Sequence, residues 1–425
     1  MRADEKAALA VAAGRGFSDV VRAVEGVHRA VLARAYGLAG AGGRAPRRAH
    51  EGFTTGIYAS VRGIGALVTY GSSQVLATRT NPQAEASPED GAGAQWSAAL
   101  CSAFGDHLED ACSTLAMPMS VRHRGRHVPP TSTSLARAFP DASSGIALFI
   151  HGLGMTEHAW SPAASESSGE KGGPGGRGYA ERLATDLGLT PVYVRYNTGL
   201  HISTNGHLLA GLVDLVVRHW PTPVTRLVLF GHSMGGLVAR SACHSGHSAG
   251  AEWVPLVSDL VTLGSPHHGA PLEQAANIAA SALRVAPESR PLADLLDRRS
   301  AGIKDLRFGY VTDQAWRRAA PNAIHDESED VPLLSTSRHH FLAGTVCRRA
   351  DSRLADLIGD FVVLPASATG RKSTAHRRPF PTVAGHRVAG VNHRALLVSP
   401  DVYRILRKQL TEPSTGPQRK AGTRP

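Results

Sequence analysis

Leu227-Val228-Leu229-Phe230-Gly231-His232-Ser233-Met234-Gly235-Gly236-Leu237 is the stretch whose reading decides the fold. Four apolar residues in a row read as a buried strand. They run straight into a G-x-S-x-G turn, and Gly236-Leu237-Val238-Ala239-Arg240 continues as a helix. A bare G-x-S-x-G in a glycine-rich chain carries little weight; strand before and helix after are the context it needs. The sharp turn strains the backbone and lifts the serine Oγ clear of the sheet. Gly231 and Gly235 are small enough for the flanking chains to pass each other. Ser233 is therefore the candidate nucleophile.

A serine hydroxyl is weak until a base, an acid that orients the base, and oxyanion donors are supplied. In the strand–turn–helix arrangement the chain order is serine, acid, histidine, so both partners are sought after Ser233. His340-Phe341-Leu342-Ala343-Gly344-Thr345-Val346 reads as a strand, and Ile358-Gly359-Asp360-Phe361-Val362-Val363-Leu364 follows it. Asp360 sits in a glycine turn before an apolar run, which suits a carboxylate held at the C-terminal edge of the sheet. Asp351 and Asp356 compete, but they lie in the polar, helix-like Asp351-Ser352-Arg353-Leu354-Ala355-Asp356. The chain has 21 histidines. Val388-Ala389-Gly390-Val391-Asn392-His393 reads as a strand ending in a polar turn, with a last helix over about Ser399 to Leu410. His393 is thus the candidate base. His386 falls at the other end of that strand, and His376 lies in a basic loop.

Gly145-Ile146-Ala147-Leu148-Phe149-Ile150-His151-Gly152-Leu153-Gly154 is an earlier buried strand ending in H-G-x-G. One oxyanion donor should be the amide after the nucleophile, Met234, and the other an amide of this early loop, Leu153.

These segments, with Arg195-Tyr196-Asn197-Thr198-Gly199 and Leu263-Gly264-Ser265-Pro266-His267-His268-Gly269, resemble α/β-hydrolase-fold lipases and esterases. The nearest resemblance is to GPI inositol-deacylase-like and triacylglycerol-lipase-like proteins, over roughly residues 117 to 411. It implies a mostly parallel sheet covered by helices, a triad of Ser233, Asp360 and His393, hydrolysis of carboxylic esters through an acyl-enzyme, and no cofactor. The partner implied is a small-molecule or lipid ester. An acyltransferase could share every motif quoted. A third reading is a non-catalytic scaffold acting through the N-terminal region.

Outside the hydrolase segment the patterns change. Val20, Val21, Val24, Val27, Val31 and Leu32 recur at helical spacing behind Ser18, and Phe53, Ile57, Val61, Ile64 and Val68 repeat the pattern. Trp96, Leu100, Ala103 and Leu108 repeat it again. Residues 1–114 are expected to form a small helical region joined by glycine-rich linkers at Gly37 to Gly43 and Gly91 to Gly93. Residues 115–411 form the α/β-hydrolase domain, and 412–425 a flexible basic tail. Met119 to Val128 alternates like a hairpin at the start of the sheet. Thr190 to Tyr196 and Leu260 to Leu263 read as strands, and Asn205 to Trp220 as a helix. An insertion at about 270–335, with an amphipathic helix over Leu272 to Val285, suits a cap over the active-site edge.

Composition narrows the function classes. With 425 residues, 42% of them hydrophobic, the chain has room for one large domain and an appendage. It holds no apolar run long enough to span a bilayer. Met1-Arg2-Ala3-Asp4-Glu5-Lys6 carries both acid types, unlike a secretory leader. Cys101, Cys112, Cys243 and Cys347 have no paired spacing, which fits reduced thiols and a cytoplasmic setting. The net charge of +11 sits largely at Arg122 to Arg126, Arg371 to Arg378 and Arg419 to Arg424. It has no interleaved aromatics, so no nucleic-acid partner is expected; attraction to an acidic lipid surface stays open. No H-E-x-x-H or similar spacing calls for a metal. Gly169 to Gly178 has neither the preceding strand nor the Gly-Lys-Ser/Thr of a phosphate loop.

Overall fold

The computed structural model describes residues 92–110, 116–161, 178–271, 299–319, 330–371 and 383–412, with isolated positions elsewhere. Runs of apolar residues build its centre. Strands β1 (Ser120–His123), β2 (Arg126–Val128), β3 (Gly145–Ile150), β4 (Leu189–Arg195), β5 (Arg226–His232), β6 (Val257–Leu263), β7 (Arg338–Thr345) and β8 (Val383–Ala389) form one sheet. Their order is β2-β1-β4-β3-β5-β6-β7-β8. The β1–β2 hairpin is antiparallel and joins β4 antiparallel; every later pairing is parallel. All six residues of β3 are buried, as are Leu227 to His232 of β5. Strands covered on both faces lose the polar–apolar alternation, which is why these read as continuous hydrophobic runs.

The two faces bury different sets. Ile146, Leu148, Ile150, Leu227 and Leu229 face one helix layer. It is made by α4 (Ile202–His219), through Leu209, Val213 and Val216, and by α5 (Met234–Ser248), through Leu237 and Val238. Ala147, Phe149, Val228 and Phe230 face the other way, onto Tyr179 and Leu183 of α3 (Tyr179–Leu187) and Val402 and Leu406 of α10 (Pro400–Thr411). Phe149 and Phe230 are register partners, and their rings stack at 4.9 Å. Each such fully buried side chain contributes about 1.5–3 kcal/mol. The Tyr179 hydroxyl, 2.9 Å from the Leu396 carbonyl and 2.8 Å from that of Ser399, ties α3 to the start of α10.

The N-terminal edge of the sheet is pinned by a buried charge cluster. Asp259 accepts from Arg338 at 2.7 Å, His340 at 3.0 Å and Arg226 at 3.2 Å. Burial alone would raise its pKa; the hydrogen bonds from His340 and Arg338 outweigh that and hold it below the usual carboxylate range. The active-site candidates lie at the opposite, C-terminal edge, where ligands of open α/β sheets bind.

Several boundaries differ from the sequence reading. Helix α1 (Ala92–Asp110) takes in Gly93, expected as linker, and breaks at Phe104, whose φ of −137° and ψ of 17° are non-helical. It also docks on the body of the sheet domain. Gly105 accepts from Asn197 Nδ2 at 2.9 Å, Ser102 accepts from Ser300 Oγ at 2.6 Å, and Asp106 accepts from the Ala301 amide at 2.9 Å. Strand β8 starts earlier than expected, so His386 lies within it rather than at its end. Of the insertion, helices α6 (Ala301–Asp305) and α7 (Asp313–Arg318) are described. Its base is tied down by Ala270 N–H to Leu306 at 2.9 Å and Gly302 N–H to Gly199 at 3.0 Å. The helix expected over Leu272 to Val285, the linker at Gly37 to Gly43, the tail beyond 412 and most of the N-terminal helical pattern lie outside the described residues. Among that pattern, Ser18, Val21 and Val24 are helical, so Ser18 is inside the turn it was expected to cap. Cys101, Cys243 and Cys347 are free thiols. Among the described residues no helix is long and apolar enough to cross a membrane, and no cluster of side chains could hold a metal ion.

Candidate active site

Ser233 is the single residue between β5 and α5, with φ 52° and ψ −123°. A left-handed backbone at a residue other than glycine costs on the order of 1–3 kcal/mol and persists only where its surroundings hold it. Here the Ser233 amide donates to the Leu263 carbonyl at 2.9 Å, and its own carbonyl accepts from Gly236 at 3.1 Å. The two motif glycines serve close approach. A Cβ on Gly235 would collide with the carbonyls of Ile150 and His151, and one on Gly231 with the backbone of Gly236.

Asp360 follows helix α8 (Arg353–Ile358), in a turn made by positive φ at Gly359 (59°) and Phe361 (77°). The carboxylate is buried, and its Oδ1 accepts from the amides of Val362 at 2.9 Å and Val363 at 2.8 Å. Its Oδ2 lies 2.7 Å from His393 Nδ1, while its carbonyl accepts the His393 amide at 3.1 Å. Ring and backbone of one histidine are thus both fixed by one aspartate. A carboxylate can only accept, so Nδ1 carries the proton and Nε2 is left as the base nitrogen.

The end of β6 brings the two parts together. Leu263 accepts the Ser233 amide, and a Cβ placed on the next residue, Gly264, would sit 3.0 Å from His393 Nδ1 and 3.1 Å from Asp360 Oδ2. His232 completes the link: its ring lies 4.8 Å from that of His393, and its Nε2 donates to the His393 carbonyl at 3.0 Å. Burial and the neighbouring His393 push His232 down to about 3, so it stays neutral. No hydrogen bond joins Ser233 Oγ to His393 among the described residues. In unliganded sites such bonds are often long and tighten only with substrate in place.

Across from Ser233 runs the loop after β3. A Cβ on Gly152 would stand 3.0 Å from Ser233 Cβ, so this loop is packed against the nucleophile candidate. His151 fixes it: Nδ1 donates to the Gly152 carbonyl at 3.0 Å, the Tyr196 hydroxyl donates to the His151 carbonyl at 2.8 Å, and the two rings stack at 4.4 Å. Burial lowers the His151 pKa to about 4, which keeps it neutral. The Gly154 amide donates to Thr198 Oγ1 at 3.2 Å. The amides of Leu153 and Met234 make no hydrogen bond among the described residues. Behind this loop Arg195 and Glu157 form a buried two-point ion pair at 2.7 and 2.5 Å.

Every site residue named from the sequence therefore lies at one edge of the sheet, with Asp360 and His393 in direct contact. Asp351 and Asp356 are exposed, with Asp356 engaged by Arg387 at 2.6 Å. His267 is held in the core by Arg240 at 3.2 Å and Thr262 at 3.0 Å, a structural part. His232, Thr198 and Glu157 were missed. The x of G-x-S-x-G was free to be any residue, and only Arg195-Tyr196-Asn197-Thr198-Gly199 carried a hint of this support.

Residues 143–290 match the family model described as the PGAP1-like alpha/beta domain, which bears out the resemblance to α/β-hydrolase-fold lipases and esterases. A search of curated protein sequences finds no match. Solved structures of similar fold include the mature lipase BlEst2 of Bacillus licheniformis, at 18% identity, TM-score 0.40, 63% of this chain and 92% of that one. Phospholipase PlaB of Legionella pneumophila aligns at 16% identity and TM-score 0.36, over 63% of each chain. The hyperthermophilic esterase of Pyrobaculum calidifontis aligns at 13% identity and TM-score 0.31, over 63% of this chain and 72% of that one.

Proposed function

We propose that this protein is a serine hydrolase of carboxylic esters. The observation that carries the reading is the Asp360–His393 pair at 2.7 Å, packed against Gly264, the residue after the Leu263 carbonyl that holds the amide of backbone-strained Ser233. His393, oriented by Asp360, takes the Ser233 proton as Oγ attacks the acyl carbonyl. The Leu153 and Met234 amides, which donate to no other acceptor among the described residues, stabilise the oxyanion. The tetrahedral species collapses, the alcohol leaves with the proton from His393, and an acyl-enzyme remains on Ser233. Water, deprotonated by the same imidazole, then releases the acid and restores the serine.

A fluorophosphonate probe and short-chain p-nitrophenyl esters test the reading. Expected are covalent labelling at Ser233, a burst of nitrophenol, and loss of both in a folded Ser233→Ala variant. Unchanged turnover in that variant would refute the assignment.

A further inference from the structure

Half of the large apolar side chains exposed among the described residues lie within nine positions. Leu354 is 57% exposed, Leu357 77%, Phe361 72% and Val362 38%; the others are scattered from Val24 to Leu215. Leu354 and Leu357 are three apart on α8 and share a face. Phe361 and Val362 follow in the turn around Asp360, so the patch borders the proposed catalytic acid. Scattered apolar residues on a surface mean little, whereas a contiguous group marks an interaction site.

Phe361 sharpens the point. Its φ of 77° is one that aromatic residues rarely adopt, and its ring is presented to solvent. Glycine or asparagine would take that backbone at less cost, and neither would place an aromatic ring outside.

Charge selects the occupant. The patch is flanked by exposed Arg348, Arg349 and Arg353, with exposed Arg394 beside the proposed base. The exposed acids nearby are Asp351 and Asp356, and Arg387 already neutralises Asp356. Apolar side chains that enter the acyl region, rimmed by arginines that meet headgroup phosphates, are the pattern of an anionic lipid surface. We infer that α8 and the Phe361–Val362 turn form a docking face for an anionic bilayer, which sets the proposed catalytic pair at the lipid interface. The purpose of this face rests on the esterase reading; its measurement does not.

The test is flotation of the full chain with vesicles of phosphatidylcholine, with and without phosphatidylglycerol. The expected result is binding to the mixed vesicles that weakens with salt. Leu354→Asp/Leu357→Asp should lose at least about tenfold in partitioning, because two charges replace interfacial apolar groups. Turnover of soluble p-nitrophenyl butyrate should be unchanged. Arg348→Ala/Arg349→Ala, which leaves the apolar patch intact, should weaken binding about fivefold per charge and flatten its salt dependence. Wild type that ignores both vesicle types overturns the inference, as does equal binding by the variants. So does a patch variant whose only change is a lost dimer, since a second copy would then be the occupant. Vesicle binding without any ester turnover would sustain the docking face while sinking the esterase reading.

Discussion

His232 donates from Nε2 to the carbonyl of His393, 161 positions later, at 3.0 Å, and the two rings pack 4.8 Å apart. The residue before the nucleophile candidate therefore supports the loop that carries the base candidate. Burial holds His232 at about 3, so this donor keeps one protonation state across any working pH. His232→Phe keeps the volume and removes the donor. It should lower kcat by about 10- to 100-fold with little change in KM, since a small misplacement of the base acts on the transition state. His232→Gln, which restores an N–H, should recover part of that loss. Steady-state kinetics on p-nitrophenyl butyrate decide it.

Asp360→Asn keeps an oxygen to accept the amides of Val362 and Val363, so the turn should survive. What changes is the partner of His393 Nδ1: an amide N–H faces it and favours the wrong tautomer. A kcat loss of roughly ten-thousandfold is expected, with a circular dichroism spectrum like wild type. Turnover within a few fold of wild type would remove Asp360 from the mechanism.

Glu157→Ala leaves the Arg195 guanidinium buried without its two-point partner. The loss should be about 3–5 kcal/mol, read as a lower midpoint in urea unfolding. Arg195 belongs to β4 beside the loop that holds Leu153, so ester turnover should fall as well.

Gly235→Ala tests the close approach of α5 to the end of β3. The new methyl meets the Ile150 and His151 carbonyls, which are backbone and cannot rotate away. A destabilisation of at least about 1–3 kcal/mol is expected. Turnover should be lost with it, because the same contact sets the height of the Ser233 turn.

Acid should weaken the fold before the carboxylates titrate. His151 and His339 sit at about 4 and His232 at about 3, each lowered first of all by burial. Below the ordinary histidine value of 6.5 the unfolded chain takes up protons that the folded chain refuses. Stability conferred by these neutral histidines is thus complete above about 6.5 and drains away toward the folded values. Each contributes up to about 1.4 kcal/mol per pH unit over that window. Glu273, raised to about 7 by burial against the pull of Arg299 and Arg307, opposes them between 4.5 and 7. Burial lowers His123, His244 and His386 in the same direction and raises buried Asp305 as it does Glu273, so the histidines outnumber the two acids and the urea midpoint should be lower at pH 5 than at pH 7. An equal or higher midpoint at pH 5 would show that these histidines are not buried as described.

The sheet was legible because its central strands are short, continuous and apolar. Covered on both faces, β3 and β5 announce themselves without alternation. The serine turn was legible for a related reason: its strand, its glycines and its helix lie within eleven neighbouring positions. The setting of Asp360 was less so. Its residue was found by order in the chain and by the glycine beside it, but α8 intervenes between β7 and the turn, and only burial and the contact with His393 in the fold separate it from Asp351 and Asp356. Gly93 shows the opposite failure, since a glycine read as punctuation lies inside a helix whose packing on Asn197 and Ser300 overrides local preference.

By itself the sequence determined where a strand must turn sharply into a helix and in what order an acid and a histidine must follow, because those signals are carried by neighbours along the chain. Which of 21 histidines meets the Asp360 carboxylate was decided by tertiary structure. That contact spans 33 positions and exists because parallel pairing of β7 and β8 brings the ends of two loops to the same edge. The support from His232 is the same kind of fact. A ring on one loop and a carbonyl on another leave no periodicity in the sequence, and only the folded sheet brings them within hydrogen-bond reach.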